Sequence, residues 1–368
     1  MKKILYITTV SRTINAFLVP HIQMLRNQGH IVDCACSIDK PVDEALINNG
    51  VRVFDIPFSR NPLHPGNIKA FKKLVQIQKE NNYDIVHVHT PVASVYGRLL
   101  KIKFKNLKTI YTAHGFHFLK GGPKLNWVIY YPIERIMAKF TDIIITMNIE
   151  DFERAKTFNI QNTYKVNGVG VDLDKYNLDN FDRDDIRKSL NIKRDDFVIL
   201  MIAEVNKNKN HKQVIDAIEL LKNKGINNIK VLCAGDGVIL DDVKKYIKDK
   251  NLQENIHMLG FRTDINELIS ATDIGILMSY REGLPRNIME LMACKKPVIG
   301  TDIRGIRDLV QDGVNGYLVK VGDIKGTADS IEKIYIDKNL LDNMSSNAYE
   351  SIQIYSVDKV VNQLQVIY

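Results

Sequence analysis

The chain has 368 residues, more than one hydrophobic core usually supports and typical of two domains. Hydrophobic residues make up 45% of it, yet no apolar run approaches the roughly 18–20 residues that span a bilayer. The N-terminal run MKKILYITTV alternates like a strand, and we expect a first strand there rather than a signal peptide. Four cysteines lie in apolar segments without metal-site spacing, which favours reduced thiols in a cytoplasmic protein.

The net charge of +8 is concentrated in the first half of the chain. Residues 1–172 carry 23 Lys and Arg against 13 Asp and Glu, a net charge of +10, and residues 173–368 carry 28 against 30, a net charge of −2. A basic half suggests an anionic neighbour such as membrane headgroups, nucleic acid or a polyphosphate, and solvated lysines are the alternative. Because no recognition motif with stacking aromatics is found, we do not expect a nucleic-acid partner.

Short apolar runs alternate with helical patterns over the first 150 residues. The predicted helices reach about residue 28, cover 66–82 and 91–103, and end near residue 140; the predicted strands cover 3–8, 31–36, 51–57, 84–90, 108–114 and 142–147. These strands are apolar almost throughout, which is typical of a parallel sheet covered by helices on both faces.

The pattern restarts after residues 164–185, which are rich in Asn, Asp and Gly. Further predicted strands, again separated by helices, cover 197–203, 229–235, 255–260, 273–278, 296–300 and 315–319. The sequence therefore predicts an α/β protein of two doubly wound, Rossmann-like domains that face each other across a cleft, with a linker near 172–182.

Side chains capable of chemistry follow several of these strands. His114 and Gly235 end predicted strands, and Lys209 and Glu282 follow a predicted strand within a few residues. Because ligands of doubly wound sheets bind at the carboxyl ends of the strands, we expect these residues to meet a substrate there. His87 and His89 alternate along the strand 84–90, which favours a place in the core or behind the site.

The segment SYREGLPRNIMEL places two glutamates around a helix start. Pro285 suits the first helical position, so Glu282 precedes the helix and Glu290 lies more than one turn into it. At about 1.5 Å rise per residue the carboxylates lie on the order of 8–12 Å apart, wider than the 5–5.5 Å of a retaining glycosidase pair. Amides at 283–287 and the helix dipole suit a diphosphate, so the layout fits ribose, diphosphate and sugar in line.

Residues 273–319 resemble the donor-binding half of the retaining glycosyltransferases of family 4, which have the GT-B fold. Companion motifs occur in the expected order: YTAHG (111–115), NGVGVD (167–172), NKNKNH (206–211), GDG (235–237) and LGFRTDI (259–265). Within that family the chain is most similar to capsule and exopolysaccharide enzymes. The resemblance implies an acceptor-binding domain over 1–172, a nucleotide-sugar-binding domain over 173–350, and a C-terminal helix, 351–368, that crosses back to the first domain.

The resemblance also implies roles for individual residues. Glu282 would bind hydroxyls of the donor sugar, and Glu290 would bind the ribose hydroxyls. Lys209 would neutralise the leaving diphosphate, and His114 would contact the transferred sugar. The remaining implied donor-binding residues are Gly283, Leu284, Pro285, Arg286, Asn287, Phe261, Arg262 and Gly235, with Phe261 and Arg262 meeting the base mainly through their backbone.

Two departures from the family pattern stand out. Many relatives have Gly-Arg-Leu where this chain has Ala-Glu-Val at 203–205, so Glu204 replaces an arginine that usually assists the lysine. Lys207, Arg281 and Arg286 are candidates to supply the missing positive charge. The first strand is followed by TTVSRTINAF rather than by a glycine pair, so the acceptor loop cannot be carried over residue by residue.

The activity that the resemblance implies is retaining transfer of a hexosyl or N-acetylhexosaminyl group. The leaving phosphate oxygen would help to deprotonate the acceptor, while the helix amides and the lysine stabilise the charge on the diphosphate. The resemblance favours UDP as the nucleotide. Because no Asp-x-Asp element lies at a strand end, we expect the activity to be independent of metal ions, and we expect no other cofactor. Two alternatives stay open: a sugar-nucleotide 2-epimerase of the same fold, and a non-catalytic nucleotide-sugar-binding protein, which Glu204 would favour.

Two basic segments of the first domain suggest a membrane contact. Residues 98–108 carry five cations and no acid, and residues 116–140 combine lysines with the only tryptophan, Trp127. A basic aromatic helix can lie among headgroups, and a helix packed on its own sheet is the alternative. Together with the family resemblance, this suggests a polyprenyl-diphosphate-linked or saccharide acceptor and a cytoplasmic location at the inner face of the cell membrane.

Overall fold

The structure is a computed structural model that describes residues 1–61, 64–178 and 180–368. The chain forms two compact units. The first unit comprises Met1–Gly170 together with Val357–Tyr368, and the second unit comprises Val171–Ser356.

The first unit is built on a parallel sheet whose strands are buried almost throughout. Its strands are β1 (Lys3–Val10), β2 (Ile31–Ser37), β3 (Val53–Asp55), β4 (Ile85–His89), β5 (Lys108–Ala113), β6 (Ile143–Thr146) and β7 (Asn162–Lys165). Their order is β3-β2-β1-β4-β5-β6-β7, and every neighbouring pair is parallel. The strand order reverses between β1 and β4, which is the switch point where such sheets bind ligands.

Helices cover both faces of this sheet, as its apolar strands require. They are α1 (Ser11–Thr13), a π-helical turn (Ile14–Leu18), α2 (Val19–Asn27), α3 (Glu44–Asn48), α4 (Gly66–Asn81), α5 (Pro91–Lys103), α6 (Lys124–Met137), a 3₁₀ turn (Ala138–Phe140) and α7 (Ile149–Lys156). Local sequence sets several starts: Pro91 opens α5, and the Asn148 side chain caps α7 by accepting from the Asp151 N–H.

The second unit repeats the plan with its own core. Its strands are β8 (Phe197–Ile202), β9 (Ile229–Ala234), β10 (Ile256–Gly260), β11 (Ile274–Leu277), β12 (Val298–Thr301) and β13 (Gly316–Val319). They lie in the order β10-β9-β8-β11-β12-β13, all parallel, so the switch point falls between β8 and β11.

The helical segments of the second unit pack around a continuous buried cluster. They are 3₁₀ turns at Asp174–Tyr176, Lys207–Lys209 and Gln353–Tyr355, and the helices α8 (Arg183–Ser189), α9 (His211–Asn223), α10 (Leu240–Asp249), α11 (Ile265–Ser270), α12 (Arg286–Ala293), α13 (Ile324–Ile336) and α14 (Lys338–Ile352).

The last helix, α15 (Val357–Gln365), belongs to the first unit and packs on α2. The Gln363 side chain accepts a hydrogen bond of 2.9 Å from the Asn167 N–H. Beyond the helix, the Tyr368 hydroxyl contacts the Tyr6 hydroxyl and Nδ1 of His87. The end of the chain therefore reaches the core of the first unit.

Two parallel sheets with helices confirm the predicted doubly wound class. The short strand β7 and the one-turn helix α3 are not predicted from the sequence, because elements of four and five residues carry little periodic pattern. Pro285 also lies one position earlier than predicted, because α12 begins at Arg286. Across the ranges that the structure covers, no helix combines the length and apolarity needed to cross a membrane.

Candidate functional site

The loops after β8 and β11 meet at the switch point of the second unit. The backbone N–H of Tyr280 donates to the Asn208 carbonyl at 2.8 Å, and the Asn208 side chain donates to the Arg281 carbonyl at 3.0 Å. These bonds join the NKNKNH motif to the segment that carries the first glutamate of the pair.

Lys209 and Glu282 form an ion pair across these two loops. The Lys209 Nζ lies 2.6 Å from Oε1 of Glu282, and the side chains are only 19% and 13% exposed. The Asn206 side chain accepts from the Lys209 N–H at 3.2 Å and so shapes the turn that presents the ammonium. Partial burial strengthens the attraction above that of a surface pair, so both side chains are held in place before any ligand arrives.

Glu290, the second glutamate, also has cationic and hydroxyl partners. Its Oε1 lies 3.1 Å from Nε of Arg286, one turn earlier on α12. The Tyr176 hydroxyl hydrogen-bonds to the same carboxylate, and burial followed by the Glu290 charge raises the pKa of Tyr176. Glu290 is thus fixed to one side of the helix by a cation and a phenol.

The loop before α12 is held from behind by two residues that sequence reasoning missed. Arg304 is 2% exposed, and its Nε donates to the Glu282 carbonyl at 3.1 Å. Gly305 has φ +82°, and a Cβ there would lie 2.3 Å from the Gly283 carbonyl oxygen. Glycine in IRGI is the only sequence signal for this close approach, and nothing in the pattern shows that the arginine is buried.

A second close approach places the loop that carries Glu204. A Cβ on Gly235 would lie 1.9 Å from the Ala203 carbonyl oxygen, so only glycine lets the two loops touch. The Val205 N–H donates to the Asp236 carbonyl at 2.9 Å. Glu204 itself is exposed.

The other predicted donor residues occupy neighbouring positions. The Asn287 side chain donates to the Ile202 carbonyl at 2.5 Å, which ties the start of α12 to the end of β8. Phe261 follows β10 and is 76% exposed. Arg262 forms an ion pair with Asp264, which raises the pKa of the guanidinium, so its charge is already engaged.

A cavity of about 540 Å³ lies beside Lys209. It is lined by Asn206, Lys207, Asn208, Asn210, His211, Lys212, Ile239, Val243 and Tyr280. Lys207 is exposed, lines this cavity and lies three positions after Glu204, so a further cation is available at this edge. Among the described residues no group of three or more His, Cys, Asp and Glu is arranged to hold a metal ion.

In the first unit the predicted residue His114 follows β5 and contacts a second histidine. Its Nε2 lies 3.1 Å from Nδ1 of His89, at the end of β4. Burial, followed by the charge of His21, lowers the pKa of His114 to about 4. At neutral pH this imidazole therefore carries no charge.

His114 belongs to a row of aromatic rings that also includes Phe17 and His89. The ring centroids of His89 and His87 are 4.2 Å apart, and Tyr6 stacks on His89 at 5.4 Å. Burial lowers the pKa of both His87 and His89 well below the usual range. Nε2 of His21 donates to the Val169 carbonyl at 3.1 Å, and burial lowers the pKa of His21 to about 4.

Helix α6 has two contrasting faces. Its inner face is anchored by Glu134, which pairs with the buried Arg98 at 2.8 Å. Trp127 also points inward: its Nε1 donates to the Leu119 carbonyl at 3.0 Å, and the ring packs on the core. The outer face is a stripe of exposed apolar side chains, here called the α6 stripe: Leu125, Val128, Ile129, Ile133 and Ile136.

The structure therefore changes the interpretation of both basic segments. Trp127 is half-buried and packs against the core rather than standing out as an exposed anchor, and the exposed apolar residues of its helix are aliphatic. In the segment 98–108, Arg98 is buried and Lys101 pairs with Asp142. Fewer of its cations face solvent than the sequence suggested.

Comparison with known proteins gives consistent similarities over the whole chain. Residues 182–351 match the family described as "Glycosyl transferases group 1", and residues 3–148 match "Glycosyl transferase 4-like". The chain is 35% identical to the putative glycosyltransferase EpsD of Bacillus subtilis, over 100% of this chain and 96% of that protein.

Two further similarities extend this pattern. The chain is 28% identical to the UDP-Gal:alpha-D-GlcNAc-diphosphoundecaprenol alpha-1,3-galactosyltransferase of Escherichia coli, over 94% of this chain and 90% of that protein. Among solved structures, Anabaena HepE in complex with UDP and glucose superposes with a TM-score of 0.82 at 20% identity. That similarity covers 100% of this chain and 99% of HepE.

Proposed function

The chain belongs to the group 1 glycosyltransferases and has the GT-B fold, and we propose that it is a retaining enzyme that uses a UDP-sugar to extend a lipid-linked or saccharide acceptor in surface polysaccharide biosynthesis. The observation that carries this proposal is the paired Lys209 and Glu282 at the switch point between β8 and β11. A cation and a carboxylate side by side suit a ligand that is anionic at one group and hydroxylated at the next.

UDP is proposed as the nucleotide because of what two relatives bind or use. The E. coli relative is named for UDP-Gal, and HepE structures hold UDP and UDP-glucose. In this chain Glu290 would accept from the ribose hydroxyls, and Phe261 and Arg262 would meet the base through their backbone. The carboxylate of Glu290 is already oriented by Arg286, so little side-chain entropy is lost on binding.

The proposed chemistry is mainly electrostatic. As the sugar–phosphate bond breaks, negative charge grows on the diphosphate, and Lys209 stabilises it together with the amides at the start of α12. Lys209 would then be shared between Glu282 and the diphosphate. The second carboxylate oxygen of Glu282 would accept hydrogen bonds from sugar hydroxyls. His114, neutral at physiological pH, would offer a hydrogen bond to the sugar rather than a charge.

The acceptor side of the proposal rests on the α6 stripe. Leu125 and Val128 are 66% and 71% exposed, and the stripe follows helical spacing along α6. Lysines at 120, 124 and 139 and Arg135 are exposed around it, as expected for a helix at an anionic membrane surface. We propose that this face meets the bilayer that carries a polyprenyl-diphosphate-linked acceptor, at the cytoplasmic side.

A transfer assay tests the proposed activity. The purified chain is incubated with a panel of radiolabelled UDP-, GDP- and ADP-sugars, with and without polyprenyl-diphosphate saccharides. We expect label from one UDP-sugar in the lipid fraction, with the anomeric configuration retained in the product by NMR. Conversion of the donor without acceptor would indicate an epimerase, and binding without turnover would indicate the non-catalytic alternative. We also expect EDTA to leave the rate unchanged; a loss restored by Mg²⁺ or Mn²⁺ would refute metal independence.

Flotation with anionic liposomes tests the membrane contact. The double variant Leu125→Asp/Val128→Asp places two charges in the α6 stripe and should abolish co-flotation. A matched double variant, Ile68→Asp/Val238→Asp, changes two exposed apolar residues outside the stripe, 57% and 90% exposed, and should float like the wild type. Equal flotation of both variants would refute the contact through α6.

A further inference from the structure

The contact between His89 and His114 leaves one ring nitrogen of His89 buried and unused. Nδ1 of His89 and Nε2 of His114 are 3.1 Å apart, and Nε2 of His89 has no hydrogen-bond partner among the described residues. Both rings are neutral at physiological pH because burial lowers their pKa values. Each neutral imidazole has one N–H donor and one acceptor nitrogen, so the contact permits only two arrangements.

The buried nitrogen distinguishes these arrangements. If His89 carried its proton on Nε2, that N–H would be buried without an acceptor, which native proteins rarely tolerate. With the proton on Nδ1, His89 donates to Nε2 of His114, and Nε2 of His89 keeps an unused lone pair, so no buried N–H lacks an acceptor. His114 must then carry its own proton on Nδ1, the nitrogen that this contact does not use.

We propose that His89 is a positioning residue that fixes His114 as the Nδ1–H tautomer, so that His114 presents a hydrogen-bond donor to the substrate. Histidine in water prefers the Nε2–H tautomer, so the arrangement is one that the protein imposes. The titratable groups around this pair are His87 on the same strand, Tyr6 on β1 and His21 on α2, and burial lowers the pKa of both of these histidines.

The consequence for recognition rests on the proposed function. The Nδ1–H of His114 donates to a hydroxyl oxygen of the transferred sugar. The proton of that hydroxyl is then free to be donated to another partner. With the opposite tautomer His114 would compete for that proton. The proposal therefore gives the direction of the hydrogen bond between enzyme and sugar, which the position of His114 alone does not.

The tautomer can be measured without any substrate. Long-range ¹H–¹⁵N NMR of the full chain labelled with ¹⁵N-histidine separates the nitrogen that carries the proton from the one that does not. The His114 signals are assigned as those lost in His114→Gln. We expect a protonated Nδ1 and an unprotonated Nε2 for His114 at pH 7.5; the reverse pattern would overturn the proposal whether or not the chain transfers sugar.

Variants of His89 test the positioning role. Asn places an amide where Nδ1 stands and can still donate to His114, whereas Gln places its amide nearer Nε2 and cannot. We expect His89→Gln to lower kcat/KM about tenfold, the value of one hydrogen bond, and His89→Asn to stay near the wild type. In a His114→Ala background, where there is no ring to orient, His89→Gln should have no further effect.

These outcomes separate the two proposals. Equal loss in Asn and Gln variants, or undiminished loss in the His114→Ala background, would show a merely structural His89. If His89→Gln does not fold, the wild-type NMR spectrum alone decides the tautomer. An inactive wild type with a protonated Nδ1 at His114 would refute the proposed function while leaving the tautomer assignment in place.

Discussion

At the ends of β8 and β11 the second unit carries charges that are paired, whereas at the ends of β4 and β5 the first unit carries imidazoles that are neutral. Lys209 and Glu282 form an ion pair of 2.6 Å. Burial and neighbouring histidines lower the pKa values of His89 and His114, so both rings are neutral at physiological pH. The two sheets have the same plan, so the contrast comes from the side chains alone.

This difference suggests a division of labour between the units. The edge that carries Lys209 and Glu282, here called the charged edge, suits a diphosphate, whose charge grows during the reaction. The edge that carries His89 and His114, here called the neutral edge, suits the hydroxyls of a sugar. It also gives the two units opposite sensitivities. Removing one charge from the second unit strands its partner, while lowering the pH forces protons onto the buried rings of the first.

The largest expected effect comes from breaking the charged edge. Lys209→Met removes the cation that we propose stabilises the leaving diphosphate, and it leaves the partly buried Glu282 without this partner. We expect kcat to fall by on the order of 100-fold, as when one stabilising donor is removed from an enzyme. Continuous measurement of UDP release gives kcat and KM, and Lys188→Ala, an exposed lysine on α8, is the control with unchanged rates. A Lys209→Met enzyme within twofold of wild type would contradict the role of the ion pair.

Acid should break the neutral edge. The pKa values of His21 and His114 are lowered to about 4 in the folded chain, below the value near 6.5 of an unfolded histidine. Their stabilising contribution is therefore complete above pH 6.5 and is lost as the pH falls towards 4. At pH 5 each should cost on the order of 2 kcal/mol of unfolding free energy relative to pH 7.5.

Fluorescence isolates this effect, because the only tryptophan, Trp127, lies in the first unit. We expect the urea midpoint of the first unit, monitored by this fluorescence, to be lower at pH 5 than at pH 7.5. This fall should exceed that of the second unit, whose midpoint is monitored by hydrogen exchange. The second unit has one comparable histidine, His211, with a pKa lowered to about 4. Equal shifts of both units would contradict the contrast drawn from the buried imidazoles.

A smaller effect is expected at two glycines, one of which lies behind the charged edge. Gly305 and Gly313 both have left-handed φ angles, +82° and +74°, but only a Cβ on Gly305 meets backbone, at the Gly283 carbonyl. Gly313→Ala should lose about 1 kcal/mol to backbone strain, and Gly305→Ala about 2–3 kcal/mol because the loop behind Glu282 must also shift. Urea unfolding measures both, and equal losses would show that the close approach is unimportant.

The sequence predicted the architecture because its signals are local and repeated. Apolar strands that alternate with helices specify parallel sheets, and the family and its GT-B fold, recognised from motifs such as EGLPRNIME, are confirmed. The pairing of Lys209 with Glu282, which are 73 positions apart, could not be read from spacing. It follows from the strand order, which places β8 beside β11.

Other features escaped because one-dimensional patterns do not show which way a side chain points. Arg304 looks like a surface arginine and is buried; Trp127 looks like a membrane anchor and packs inward. The alternation of His87 and His89 along their strand predicts a place in the core or behind the site. In the structure His89 contacts His114 directly and His87 packs on His89. The roles of Glu282, Glu290, Lys209 and His114 toward substrate stay predictions.

The most direct test of the central claim is calorimetric titration of the chain with UDP, GDP and ADP, repeated on Glu290→Gln. We predict selective binding of UDP and a loss of affinity on the order of 10- to 100-fold in the variant, because charge-assisted hydrogen bonds to the ribose become neutral or are lost. Arg183→Gln is a matched control, because Arg183 pairs with Asp273 just before the start of β11, at the opposite end of the strand from Glu282. This variant should bind UDP like the wild type. Absence of binding to all three nucleotides, or equal binding by Glu290→Gln, would contradict the assignment of the α12 edge as the donor site.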